Sequence, residues 1–172
     1  NTVDLSKLDA AYEAQDGDLL TGTLGSKVKI SIAAGATVTL SNAVINGTSS
    51  TSYNWAGITC AGDATIVLSG ENTVKGFYED YPGIYVSTGS TLTIKGNGSL
   101  DVSSNGYGSG IGGGYNIACG NIVIAGGTIT ATGGTYAAGI GSGSIASCAD
   151  ITITTGVTSV KATKGSNATY SI

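Results

Sequence analysis

Acidic and aromatic side chains crowd together in one place, Phe77-Tyr78-Glu79-Asp80-Tyr81-Pro82. Glu79 and Asp80 are adjacent carboxylates. With help from backbone carbonyls they could ligate Ca²⁺, a hard cation that takes oxygen ligands, or they could accept hydrogen bonds from sugar hydroxyls. A neighbouring acidic pair on a loop can equally well be simply solvated. Other aromatic residues recur at a steady spacing. Trp55 and Tyr81 lie two residues before Gly57 and Gly83, Tyr107 and Tyr136 lie three before Gly110 and Gly139, and Tyr170 comes just before Ile172. Stacked along one edge, they would form a column on which sugar rings could lie, with Tyr hydroxyls and nearby Asn and Ser supplying hydrogen bonds. Laid flat, the same column would only seal a corner of the fold. The candidate ligand-binding set is Trp55, Tyr78, Glu79, Asp80, Tyr81, Tyr107 and Tyr136, and Glu79 and Asp80 are the candidate Ca²⁺ ligands.

Catalysis has little to draw on. The chain has no His and no Arg, so the commonest general base and the usual guanidinium clamp for a sugar carboxylate are both missing. The 11 acidic residues are scattered, and five of them, Asp4, Asp9, Glu13, Asp16 and Asp18, fall near the start. No strand-like segment carries carboxylates at i and i+2, as a polysaccharide lyase- or hydrolase-like site on a sheet face would need. The expectation is a protein that is not an enzyme. A net charge of −4 with no basic stripe argues against nucleic acid and anionic lipid as partners. No apolar run is long enough to span a bilayer.

Three cysteines are present. Cys119 lies three residues before Ile122 and Cys148 three before Ile151, so the two hold equivalent places in successive repeats. Repeats stacked on one another would bring them within bridging distance, and a reduced, buried pair is the alternative. Cys60 has no such counterpart and reads as core. With no His and this spacing, zinc is not expected.

The elements that must position these residues are legible from five copies of one pattern: Ala36-Thr37-Val38-Thr39-Leu40, Ala64-Thr65-Ile66-Val67-Leu68, Ser90-Thr91-Leu92-Thr93-Ile94, Gly120-Asn121-Ile122-Val123-Ile124 and Ala149-Asp150-Ile151-Thr152-Ile153. Their starts are 28, 26, 30 and 29 residues apart. Aliphatic residues at i and i+2 follow the strand period, so both point to one face. A second marker keeps step at Gly57-Ile58, Gly83-Ile84, Gly110-Ile111 and Gly139-Ile140, and a third short apolar segment lies between, as at Ala43-Val44-Ile45 and Ser99-Leu100-Asp101-Val102. Three strands per repeat of this length predict a solenoid, a single-stranded right-handed parallel β-helix of about five coils. Its 29 Gly, single Pro and many β-branched residues suit tight turns and pleated strands.

Residues 25–172 are assigned to the β-helix. Residues 1–24 are assigned to an N-terminal cap, either helical, from Leu5, Leu8 and Tyr12, or an irregular half-coil. No linker divides the chain. The last residues, 165–172, lead towards a further strand, so the expectation is either a piece of a longer protein or an end coil that self-associates. A chain opening on Asn1 rather than Met reads as a processed or trimmed form, which permits secretion.

The stretches Gly76 to Val86, Ser109-Gly110-Ile111-Gly112-Gly113-Gly114-Tyr115 and Ala118-Cys119-Gly120-Asn121-Ile122-Val123-Ile124 resemble the Gly-rich repeats of secreted and surface proteins of Bacteroides and related gut bacteria. Ala138-Gly139-Ile140-Gly141-Ser142-Gly143 and Cys148 to Ile153 are similar to them too. The resemblance covers nearly the whole chain and concerns architecture more than activity. It implies an extracellular or outer-surface setting and an adhesin-like or carbohydrate-binding role. The resulting expectation is a non-catalytic module that binds a polysaccharide or a glycoprotein glycan, with a purely structural stalk as the alternative.

Overall fold

The computed structural model describes all residues from Asn1 to Ile172. The chain winds as a parallel β-solenoid of about five turns, and every strand pairing between coils is parallel. Two of its faces are limbs of one eleven-stranded sheet. The ten-residue strand Thr37–Asn46 runs through both. Beyond it, one limb continues as Ala64–Ser69, Thr91–Gly96, Asn121–Ile124 and Ile151–Ile153, and the other as Glu71–Lys75, Ser99–Ser103, Thr128–Thr132 and Ser159–Thr163. The third face is a six-stranded sheet of Tyr12–Ala14, Ile30–Ile32, Ile58–Cys60, Ile84–Val86, Ile111–Gly112 and Ile140–Gly141.

The fold follows from what each inward side chain rests on. Ile66, Ile94, Ile124 and Ile153 form one column on the first limb, and Leu92, Ile122 and Ile151 form the next. Ile58, Ile84, Ile111 and Ile140 form a column on the third face. Outside the last coil these residues are fully buried, each contributing about 1.5–3 kcal/mol relative to an exposed side chain. The ladder also corrects the sequence spacing at one step. Ile66 pairs with Ile94 rather than Leu92, so the second and third coils are offset by two residues from the motif alignment. A shift of two leaves every side chain on its own face, and the motif could not register it.

Corners and strand starts use polar residues of specific kinds. Where Thr37–Asn46 passes from one limb to the other, Asn42 takes a left-handed conformation (φ 52°), and Gly70 takes it one coil on (φ 64°). The Asn42 carboxamide oxygen accepts from the Glu71 amide at that corner. Asp16 caps the Thr37 amide and Asp63 the Thr91 amide, both at 2.8 Å, so two of the scattered acids tie one coil to the next. One polar side chain enters a core column. Asn72 sits where later coils place Leu100 and Ile129, and it is satisfied by the Ala43 amide and the carbonyls of Ser69 and Ser99.

Residues 1–24 are built from the same ladder. Thr2–Asp4 pairs with Leu19–Thr23, which pairs with Thr37–Asn46, and Tyr12–Ala14 pairs with Ile30–Ile32. The helical spacing yields a single 3-10 turn, Leu5–Lys7, whose Leu5 is fully buried. Asp18 locks this end from a buried position, accepting from Tyr12 Oη (2.7 Å) and the Gln15 amide (2.9 Å). Those bonds, that from Gln15 foremost, hold its carboxyl below the usual carboxylate range against the opposing effect of burial.

Exposure rises in the last of the described coils. Ile151 is half-buried and Ile153 is 44% exposed, whereas their partners Ile122 and Ile124 are fully buried. The cost of truncation should follow this gradient. Ile122→Ala is expected to lower stability by roughly 2–5 kcal/mol, and Ile151→Ala by distinctly less, when urea unfolding of the two variants is compared with the parent.

Candidate functional site

The loops joining the second limb to the third face stack from coil to coil and carry most of the aromatic residues. The aromatic column expected from the sequence breaks into three groups. Trp55 packs with Tyr53 (centroids 5.6 Å, 64°) and with Phe77 (5.8 Å), which is fully buried. Trp55 is itself half-buried, and its indole N–H is buried without a partner. This group seals a corner. Tyr78 and Tyr81 pair with each other at 6.4 Å. Tyr107 forms the third group with two other rings. It stacks on Tyr136 at 5.1 Å and only 10° from parallel, and it meets Tyr115 at 5.1 Å and 54°. Tyr115 and Tyr136 are 43% and 44% exposed, so this group faces water.

Main-chain bonds from three coils fix that group. Glu79 O accepts from the amides of Tyr107 (2.7 Å) and Gly108 (3.0 Å), and Asp80 O accepts from the Tyr115 amide (2.7 Å). Gly106 O accepts from the Tyr136 amide (3.1 Å), and Tyr107 O accepts from the Ser144 amide (2.8 Å). The close approach requires glycine. A Cβ on Gly106 would meet Glu79 Cβ at 2.6 Å, and one on Gly134 would run into the Gly106 backbone. The acidic loop thus acts on the site through its backbone, as the bracket that sets two tyrosines.

Glu79 and Asp80 are half-buried, and their carbonyls are engaged by amide donors. No group of three or more His, Cys, Asp or Glu side chains comes together anywhere in the structure. The acidic pair does act electrostatically on its neighbour. The Asp80 carboxylate, followed by burial and Glu79, pushes the Tyr78 phenol above its ordinary range, because ionising it would place a third negative charge beside two.

Of the expected ligand-binding residues, the structure brings Tyr107 and Tyr136 together on an exposed edge. Tyr78, Glu79, Asp80 and Tyr81 lie beside them in the bracket loop, and Trp55 stands apart in its own cluster. Sequence spacing missed Tyr115. It follows the Gly112-Gly113-Gly114 run, out of phase with the other rings, and only the carbonyl of Asp80 carries it to the edge. No family model, no curated protein and no solved structure matches the chain.

Beside this edge, Cys119 and Cys148 form an isolated parallel bridge, with Cα atoms 4.5 Å apart, and a disulfide joins them. Cys60 is a free, fully buried thiol, and burial pushes its pKa up to about 12.

Two measurements follow from these placements. Thiol titration in denaturant is expected to find one free thiol per chain before reduction and three after, and Cys148→Ser should lower stability by about 3.6 kcal/mol, the loop-closure value for a span of this length. Removing the neighbouring charge with Asp80→Asn should bring the Tyr78 phenol back down towards its ordinary range, measured by ultraviolet titration against Tyr78→Phe. An unmoved titration would place the carboxylate away from the phenol.

Proposed function

We propose that this chain is a non-catalytic extracellular module that binds glycan along its tyrosine edge. The observation that carries the reading is the water-facing group Tyr115, Tyr107 and Tyr136, held by backbone bonds from three coils. Pre-ordered aromatic rings offer apolar faces and hydroxyl rims at little entropic cost, which suits a sugar ring with one apolar face and hydroxyls around it. The resemblance to secreted and surface repeats of gut bacteria supports the same setting, and so does the Cys119–Cys148 disulfide, a bond that persists in oxidising compartments. The absence of His and Arg, with acids engaged in capping and bracketing, supports binding without turnover.

A second reading, a rigid stalk, is favoured by one observation of its own. The two limbs form a single continuous sheet laddered from the N-terminal coil to the last, a construction suited to spacing other parts apart.

A binding panel of mucin, plant and microbial polysaccharides, with and without Ca²⁺ and with released reducing ends assayed in the same wells, separates these readings. Saturable binding without product is expected, weakened about tenfold or more in Tyr115→Ala and Tyr136→Ala variants whose folding is checked. Released sugar would overturn the non-catalytic reading, and failure to bind any polymer would transfer the weight to the stalk.

A further inference from the structure

The loop that brackets the tyrosine edge also sets its electrical sign. The carboxylates of Glu79 and Asp80 are half-buried, and neither pairs with a cation; the only ion pair in the structure joins the N-terminal ammonium to Asp18. Glu79 runs along the Gly106 backbone, its Oε2 3.3 Å from where a Cβ on Gly106 would stand, which puts this side chain beside Tyr107. The Tyr78 phenol feels both carboxylates and the Tyr107 and Tyr81 phenols, all acting in one direction, and no ammonium is among the groups that act on it. The pair Tyr78–Tyr81 and the group around Tyr107 thus share one negative field. This part of the edge lies within the stack, with coils bonded to it on both sides: the Phe77 amide donates to Trp55 O below, and the Tyr136 amide to Gly106 O above.

The lysines do not offset that field. Of the seven, Lys75 and Lys164 flank the stacked loops of this edge. Lys75 ends the strand Glu71–Lys75 in the outward column of Asn46 and Ser103, and it makes no ion pair with Glu79 or Asp80. Lys164 adjoins Gly165, which stacks on Gly134 as Gly134 stacks on Gly106 and Gly106 on Glu79. Three coil steps of about 4.8 Å set it roughly 14 Å along the axis from the acidic pair. That is beyond the screening length of about 8 Å at physiological salt, and its ammonium is turned onto the Ala168 carbonyl.

We propose that the tyrosine edge takes a glycan bearing protonated amino groups, a chain of glucosamine units being the simplest. The inference rests on the glycan-binding reading and adds to it the charge of the sugar. An ammonium has three N–H donors and is attracted to aromatic faces. Glu79, Asp80 and the phenol oxygens supply the acceptors, and the tyrosine rings supply the faces. A uronate or a sulfated sugar would meet repulsion there, and an N-acetylated sugar would forgo the charge pairing. Charge and scaffold are separable at this site. The bracket uses the carbonyl oxygens of Glu79 and Asp80, so Glu79→Gln with Asp80→Asn removes the field while keeping the main-chain bonds that set Tyr107 and Tyr115.

The test is calorimetric titration of the whole chain with short chains of glucosamine, N-acetylglucosamine, glucose and galacturonate, and with poly-lysine, at a pH where the glucosamine amine is charged. The glucosamine chain should bind about tenfold more tightly than its N-acetylated counterpart at low salt, the sum of several exposed contacts each worth a few-fold. That advantage should shrink towards unity at about 1 M salt, where the screening length falls to about 3 Å. It should also vanish in the Glu79→Gln, Asp80→Asn double variant, whose fold is checked by its unfolding midpoint. Equal binding of the amine and N-acetylated chains, a preference for galacturonate, or an amine preference that survives in the double variant would each sink the charge assignment and leave the tyrosine-edge reading standing. Poly-lysine bound as tightly as the glucosamine chain would make a basic peptide the ligand and overturn the proposal. If no sugar chain binds, the glycan-binding reading and the charge assignment fail together.

Discussion

The structure depends on one interaction, the parallel backbone ladder between coils, with each inward side chain seated on its equivalent above and below. A parallel strand cannot satisfy its amides and carbonyls within its own coil. Each turn therefore needs a neighbour in register, and the regular Ile and Leu columns are what keep the register. The stack also explains the polar exceptions. Asn72 can enter a core column only because it sits level with the backbone groups of the coils on either side and satisfies itself on both. Asp16 and Asp63 can cap strand starts only because the next coil places an amide over each of them.

The same stacking builds the site. The rings of Tyr107 and Tyr136 lie parallel because their loops belong to successive coils whose glycines let the backbones approach closely. Tyr115 joins them through a carbonyl contributed by the coil below. The edge is thus a product of the solenoid's rise rather than of any single loop, and its geometry is as rigid as the sheets that set it.

Legibility from the sequence divides along physical lines. Strands with two aliphatic residues at i and i+2 and a recurring Gly-Ile marker were readable because the pattern is local and repeats. The two-residue offset at Ile66 and Ile94 was not, because a shift by two preserves every face and leaves no trace in the pattern. Tyr12–Ala14 escaped for a different reason. Near the start, Leu5, Leu8 and Tyr12 match a helical period by spacing alone, and the neighbouring coil overrides that local signal. At the site, the equivalence of Tyr107 and Tyr136 was visible, as was the pairing position of Cys119 and Cys148. The loss of Trp55 to an interior cluster and the arrival of Tyr115 were not, because both depend on loop paths that no period encodes.

The disulfide between Cys119 and Cys148 ties the fourth coil to the fifth, spanning 29 residues of sequence. Its consequence is mechanical. A pull on the C-terminal end peels a solenoid coil by coil, each release lengthening the chain. When the peeling reaches Cys148, the force passes across the bridge and the enclosed segment cannot extend, which withholds roughly 100 Å of contour length. The tyrosine edge straddles the coils joined in this way, so tension on that end would reach Tyr107 and Tyr115 while Tyr136 still lay within the tethered loop.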